Sequence, residues 1–241
     1  MIELGLIGKK LGHSFSPGYF TEKFRTLGIE DAAYHAFELD SIDQLEELLS
    51  RKKFKGLNVT IPYKQDVIPY LDEVSAAVKE IGACNTIVFK EGKRIGHNTD
   101  FVGFRESLRP LLNSSIKDAL VLGTGGAAKA VQYALSELGI RFYSVSRTEG
   151  ENIISYNALK EKNLSEFPLI INTTPLGMFP KTEEKPDLKY EQIGSGHILF
   201  DLVYNPEKTS FLLEGEKSGC RIKNGLEMLH LQADAAWKLW S

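Results

Sequence analysis

The sequence predicts an α/β protein with a mainly parallel sheet, arranged as two units. Three observations carry this. Strand-like apolar runs alternate with helix-like segments from end to end. One apolar strand, Ala119 to Gly123, runs directly into a glycine-rich turn and then a helix. The length, 241 residues, is more than one typical domain and natural for two small ones.

Ile2 to Ile7 is a short apolar run that reads as a first buried strand. Ser16 before Pro17 gives a helix N-cap with proline at the first helical position, and Gly28 supplies the stop. Tyr34 to Leu39 reads as a strand. Ser41 and Gln44 form a capping-box pattern ahead of a helix through about Lys52. Gly56 to Ile61 is a strand ended by Pro62, Val74 to Ile81 a helix, and Asn85 to Phe89 a strand. A second unit begins near residue 101. Phe101, Phe104, Leu108 and Leu111 have helical spacing within Phe101 to Leu112. The strand and glycine turn follow, then a helix to about Leu138 and a strand Arg141 to Ser146. Further strands are expected at Leu169 to Thr173 and His197 to Val203. Helices are expected near Thr209 to Ser218 and over Leu226 to Trp240.

Composition excludes several classes. Lys plus Arg is 29 against 32 Asp plus Glu, a net charge of −3, so a nucleic-acid partner is not expected. The two cysteines, Cys84 and Cys220, offer no disulfide framework, which fits a reducing cytoplasm. No run approaches the ~18 apolar residues that span a membrane. The opening MIELGLIGKK lacks a positive leader ahead of an apolar run, so a secretory signal is not expected. Histidines 13, 35, 97, 197 and 230 show no metal-ligand spacing with each other or with the cysteines, and no metal is expected.

The segment Gly123-Thr124-Gly125-Gly126-Ala127-Ala128 fits the dinucleotide pattern G-x-G-x-x-G/A. The glycines permit a tight turn and close approach of a pyrophosphate, and the following helix offers its unpaired N–H groups. A kinase-type phosphate loop would need Gly at 128 and Ser or Thr at 130, and both are Ala. The next strand ends at Ser146-Arg147-Thr148. An acidic residue there binds a ribose 2′-hydroxyl, whereas an arginine pairs with a 2′-phosphate, which argues for NADP over NAD.

These motifs together resemble the shikimate dehydrogenases. The resemblance rests on SFSP at 14–17, NVTIPYK at 58–64, GACNT at 82–86, NTD at 98–100, GTGGAAKA at 123–130 and SRT at 146–148. It continues through NTTPLGM at 172–178, DLVYNP at 201–206 and NGLEMLHLQA at 224–233. It implies reversible NADP-dependent reduction of 3-dehydroshikimate to shikimate, in aromatic amino acid biosynthesis, by a cytoplasmic monomer or homodimer whose partners are small molecules.

The resemblance implies a substrate-binding domain over 1–100, completed by a C-terminal helix over 225–241, and a Rossmann-like NADP domain over 101–224. The active site is expected in the cleft between them. Lys64 and Asp100 match the catalytic proton-transfer pair. Ser14 and Ser16 match carboxylate-binding hydroxyls. Thr60, Asn85 and Gln232 match positions that hydrogen-bond ring hydroxyls, and Tyr204 is expected between the substrate carboxylate and the nicotinamide. The cofactor set implied is Gly123, Gly125, Gly126, Ala127, Ser146, Arg147, Thr148, Asn172, Thr173, Gly225 and Met228. Without the resemblance, Asp100 reads as a helix cap, Ser16 as another, and Met228 equally as core filling.

The chain departs from the family pattern after Thr148. Glu149 and Glu151 follow the arginine, where they would repel a phosphate. Only Glu149 to Asn152 separates Thr148 from the apolar pair Ile153-Ile154. The usual crossover helix has no room, so residues 149–156 are expected to form an irregular edge or tight reversal, with the adenine side more open and NADP weaker. Two other functions compete: a quinate/shikimate dehydrogenase of dual specificity, and a catalytically silent dinucleotide- or metabolite-binding module.

Overall fold

A computed structural model describes residues 2–12 and 14–241. His13 lies outside the described residues. The chain divides into two compact units, Met1–Thr99 with Ala233–Ser241, and Asp100–Gln232.

In the first unit the strands are β1 (Ile2–Gly8), β2 (Ala32–Glu38), β3 (Gly56–Val59), β4 (Glu73–Val74), β5 (Thr86–Lys90) and β6 (Lys93–His97). The helices are α1 (Phe15–Leu27), α2 (Leu45–Arg51) and α3 (Ala76–Ile81). The sheet order is β2-β1-β3-β5-β6-β4. β1 pairs in parallel with β2 and β3, and β4 with β6; β5 runs antiparallel to both β3 and β6. One face of this sheet packs Ile7, Leu57, Val59 and Ile87 with Leu45 and Val78 of α2 and α3. The other packs Leu4 and Leu6 with Phe20 and Phe24 of α1 and with Ala233, Ala236 and Trp240.

Several local expectations shift here. α1 begins at Phe15 with Ser14, in extended backbone, at the N-cap position, so Ser16 is not the cap and Pro17 is the third helical residue. Pro17 is tolerated because first-turn N–H groups have no intrahelical acceptor to lose. Gly28 ends α1 in the left-handed region, φ 67°. The capping pattern at Ser41 and Gln44 opens a 3-10 turn, Ile42–Gln44, rather than α2 itself. Ser41 Oγ accepts from Asp43 N, while Gln44 Oε1 accepts from Asp40 N at 2.8 Å. α3 starts only at Ala76 because Ser75 caps it, accepting from Val78 N.

The second unit contains α4 (Asp100–Leu108), β7 (Asp118–Leu122), α5 (Gly126–Glu137), β8 (Arg141–Ser146), β9 (Ile153–Ser155) and the one-turn α6 (Tyr156–Leu159). After these come β10 (Leu169–Asn172), β11 (Ile198–Asp201), α7 (Ser210–Lys217), β12 (Arg221–Lys223) and α8 (Leu226–Trp240), whose last turns belong to the first unit. Every strand pair here is parallel, in the order β12-β11-β10-β7-β8-β9. Chain order thus runs outward from β7 to β9 on one side and from β10 to β12 on the other. That is the doubly wound plan, with its reversal between β7 and β10. Phe104, Leu108, Ala128, Val131 and Met228 pack on one face; Leu159, Phe211 and Leu212 pack on the other.

The expected helix Phe101 to Leu112 is shorter. It ends at Leu108 and continues as a 3-10 turn, Arg109–Leu111, because Pro110 cannot donate to the helical ladder. Residues 225–232, assigned from sequence to the first domain, lie with the second unit. Met228 is in its core, and a Cβ on Gly103 would sit 2.5 Å from Met228 O. No helix lies between β8 and β9. The chain instead turns through paired Gly150 and Ile153 with Asn152 at φ 59°. The irregular edge expected over 149–156 is confined to the residues before 153, since Ile153–Ser155 form a regular strand parallel to β8 and Tyr156 opens α6.

Candidate functional site

In the doubly wound unit the strands end together, and ligands in such sheets bind outside their carboxyl ends at the reversal point. Two loops meet there. Gly123, after β7, adopts φ 112°, a conformation L side chains rarely take, and a Cβ on it would lie 2.7 Å from Thr173 Oγ1. Thr173, after β10, is tied to the same place: its N and Oγ1 both donate to Leu122 O, at 3.0 and 2.7 Å. Gly125 and Gly126 behave differently. A Cβ at either position would meet nothing within 4 Å, so their backbone faces open space at the start of α5. Gly125 sits at the N-cap and offers no side-chain cap to the first turn. Ala127 is exposed, and Ala128, in the last motif slot, is fully buried against the sheet. These residues fit a pyrophosphate: open glycine backbone, helix N–H groups and a small residue allowing close helix–sheet packing. Ser146 ends β8 half-buried, with Arg147 and Thr148 exposed beyond it.

Asn172, matched from the sequence to the loop beside the cofactor, ties that loop to the sheet through its side chain. It is fully buried, and its side chain faces inward. Nδ2 donates to Asp201 Oδ1 at 3.0 Å and Oδ1 accepts from Thr174 N and Oγ1, at 3.0 and 2.6 Å. Asp201 also accepts from Val203 N at 3.0 Å and from Thr209 Oγ1 at 2.5 Å. Burial pushes the Asp201 carboxyl up to about 6, against the pull of its three donors. Asp201 and Thr209 were absent from the sequence-derived set. The only sequence signal is an acid closing the apolar run Ile198-Leu199-Phe200. Gly225 is needed for close approach, since its Cβ would lie 2.1 Å from Leu202 O. Met228 is 9% exposed and belongs to the core cluster. Tyr204 is 40% exposed on the loop after β11. Asp100 is the first residue of α4, and Gln232, on α8, donates from Nε2 to Leu229 O at 2.9 Å.

In the first unit the polar residues form a continuous buried seam. Tyr34 OH donates to Asn58 Oδ1 at 2.7 Å, and Asn58 Nδ2 donates to Asn85 O and Thr86 Oγ1, both at 3.2 Å. Asn85 Nδ2 donates to Thr99 Oγ1 at 3.0 Å, and Asn85 Oδ1 accepts from Thr99 N at 2.6 Å. The seam contains Asn85 of the expected site and adds Tyr34, Asn58, Thr86 and Thr99, which sequence reasoning missed; Ser16 is half-buried on α1. Ser14 is half-buried and its side chain makes no cap bond. Thr60 N donates to Ile7 O at 2.9 Å, and Lys64 O accepts from Cys84 N at 2.7 Å. Lys64 follows the cis Ile61–Pro62 bond in a turn. Lys64 belongs to the first unit and Asp100 to the second. Among the described residues no cluster of His, Cys, Asp and Glu could hold a metal, and no helix is long and apolar enough to cross a membrane.

A doubly wound sheet with this glycine turn at its reversal point defines a dinucleotide-binding α/β protein. Residues 6–87 match the family model of the shikimate dehydrogenase substrate binding domain. The NADP(+) shikimate dehydrogenase of Clostridium beijerinckii is 42% identical over 250 residues, covering 98% of this chain and 90% of that protein. A crystal structure of a chorismate mutase/shikimate 5-dehydrogenase fusion protein from Clostridium acetobutylicum aligns with TM-score 0.89 and 37% identity over 100% of this chain and 91% of that one. The Thermus thermophilus shikimate 5-dehydrogenase, crystallised with NADP(H) and shikimate, aligns with TM-score 0.88 and 32% identity over 100% and 94%. The chain belongs to the shikimate dehydrogenase family.

Proposed function

We propose that this chain interconverts 3-dehydroshikimate and shikimate with NADP. The observation that carries the proposal is the full-length relationship to NADP(+) shikimate dehydrogenases in a chain whose second unit has a glycine turn open at Gly125 and Gly126. NADP, when bound, supplies or accepts the hydride at the ring carbon.

The rest of the work belongs to the chain. The backbone of Gly123, Gly125, Gly126 and Ala127 holds the pyrophosphate at the start of α5. Ser146, Arg147 and Thr148 take the 2′-phosphate, with Arg147 as the charged partner. Thr173 and Gly225 shape the nicotinamide end as backbone, and Asn172 acts by holding its loop. Ser14 and Ser16 donate to the substrate carboxylate, with Tyr204 beside it. Thr60, Asn85 and Gln232 hydrogen-bond ring hydroxyls and reject analogues that lack them, which would leave polar groups unpaired. Lys64 gives and takes the hydroxyl proton, and Asp100 is the second member of the proton-transferring pair. The first unit is the substrate domain and the second the NADP domain.

The experiment is a nicotinamide-absorbance assay with shikimate and NADP on wild type and Lys64→Ala. Wild type turns over. Lys64→Ala loses at least about a hundredfold in kcat with little change in the KM for shikimate, because a transition-state group has been removed. A folded wild type with no turnover would refute the activity. A large rise in KM at unchanged kcat would refute the role of Lys64.

A further inference from the structure

The β8–β9 connection ties down a carboxylate two residues along the chain from Arg147, the residue proposed to pair with the 2′-phosphate. Residues 147–152 join the strands without a helix, and the reversal is closed by backbone bonds between Gly150 and Ile153 of 3.4 and 3.0 Å. Inside this loop Glu149 Oε1 accepts from Ser155 Oγ at 2.9 Å. Ser155 is buried, and its Oγ accepts from Ala158 N at 3.0 Å as the cap of α6. The helix N–H occupies a lone pair of Ser155, so its single proton is left for Glu149. Ser155 is in register with Ser146, the last residue of β8. The carboxylate is therefore anchored at the same carboxyl edge as the glycine turn, two residues along the chain from Arg147.

At this edge of a doubly wound sheet, an acid accepts from a ribose 2′-hydroxyl and an arginine pairs with a 2′-phosphate. This chain offers both. A 2′-phosphate carries nearly two negative charges at neutral pH, and a neighbouring carboxylate opposes it. We propose that Glu149, held by Ser155, is a specificity-determining residue that lets this chain accept NAD alongside NADP, by receiving the 2′-hydroxyl of NAD and offsetting the attraction of Arg147 for the 2′-phosphate. The inference rests on the reading of the glycine turn as a dinucleotide site.

The test is calorimetric titration of the full chain with NAD and with NADP, without substrate, for wild type, Glu149→Gln and Ser155→Ala. Wild type binds both, with Kd values within about tenfold of each other. Glu149→Gln tightens NADP by about fivefold and weakens NAD by a similar factor. Ser155→Ala moves both in the same directions by less, because the carboxylate is retained but no longer held. The NADP effect of Glu149→Gln shrinks when salt is raised, as a charge effect must. If both dinucleotides bind and Glu149→Gln leaves the Kd ratio within twofold of wild type, or weakens both equally, the inference is overturned and the dinucleotide reading survives. If folded wild type binds neither, both fall.

Discussion

Asn172 and Asp201 face each other across adjacent parallel strands, in register at the last residues of β10 and β11, with Nδ2 of one 3.0 Å from Oδ1 of the other. Both are fully buried. Each then reaches into the loop beyond its strand: Asn172 to Thr174 and Leu176, Asp201 to Val203 and Thr209. One buried pair therefore sets the course of two loops at the ligand edge of the sheet. Such a network stabilises only when every member is satisfied. Asp201→Ala leaves three donors without their acceptor in a dry site, and a loss of about 2–4 kcal/mol is expected by urea unfolding.

Asp201→Asn makes a sharper, pH-dependent test. The Asp201 carboxyl lies near 6 in the folded protein, above its ordinary 3.8, so folding takes up a proton between those values. Its proton-linked stabilisation is fully present below the lower value and is lost as pH rises through the upper one, a swing of at most about 3 kcal/mol. Asparagine keeps the bonds from Asn172 Nδ2 and Val203 N at its Oδ1, donates from Nδ2 to Thr209 Oγ1 where the carboxylate accepted, and does not titrate. The stability advantage of wild type over Asp201→Asn should widen by about 1–2 kcal/mol from pH 7.5 to pH 5. An advantage that stays constant would show that Asp201 does not titrate in this range.

Two alanine substitutions in the glycine turn should separate folding from binding. Gly123→Ala forces an L residue to φ 112° and sets its Cβ 2.7 Å from Thr173 Oγ1, so about 1–3 kcal/mol of stability should be lost. Gly126→Ala places its Cβ in open space on the first residue of α5, where alanine is the better helix former. Its Tm should equal or exceed wild type while NADP binds at least about tenfold more weakly, because the added methyl occupies the approach to the backbone. Unchanged binding would move the pyrophosphate elsewhere.

The long patterned elements were legible in the sequence. β8 and α8 have the bounds read from their apolar patterns, Arg141–Ser146 and Leu226–Trp240. The missed elements share a cause. β4 and β12 have two and three residues, too few for a period, and β6 (Lys-Arg-Ile-Gly-His) is polar because Lys93 is exposed and Arg94 and Ile95 only half-buried. The glycine turn was visible because φ above zero and backbone exposure demand glycine at fixed spacing. The buried hubs were not: nothing in a linear pattern tells that Tyr34 meets Asn58, 24 positions on, or that Asp201 faces inward. The lack of a helix after β8 was legible from residue count; the parallel strand β9 and the one-turn α6 that follow were not, because three and four residues carry no period.

Tyr34→Phe probes the seam of the first unit. Burial holds the Tyr34 phenol well above its usual range, so it remains a proton donor at any working pH. Removing the hydroxyl leaves Asn58 Oδ1 without its 2.7 Å donor in a buried position. A loss of about 1–2 kcal/mol is expected by urea unfolding. Tyr34 belongs to the unit that lacks the glycine turn, so the NADP Kd should stay within about twofold. A parallel loss of NADP affinity would contradict the assignment of that ligand to the second unit alone.

Arg147→Ala tests the other side of the proposed balance at the ribose. Arg147 is exposed at the end of β8, so its removal leaves no buried partner and should not change Tm measurably. The lost guanidinium–phosphate pair should weaken NADP by at least about tenfold, while NAD, which has no 2′-phosphate, should change by less than about threefold. Glu149 then acts unopposed, and the chain should prefer NAD over NADP in a binding titration. Equal losses for the two dinucleotides would mean that Arg147 contacts something common to both, and the phosphate would need another partner.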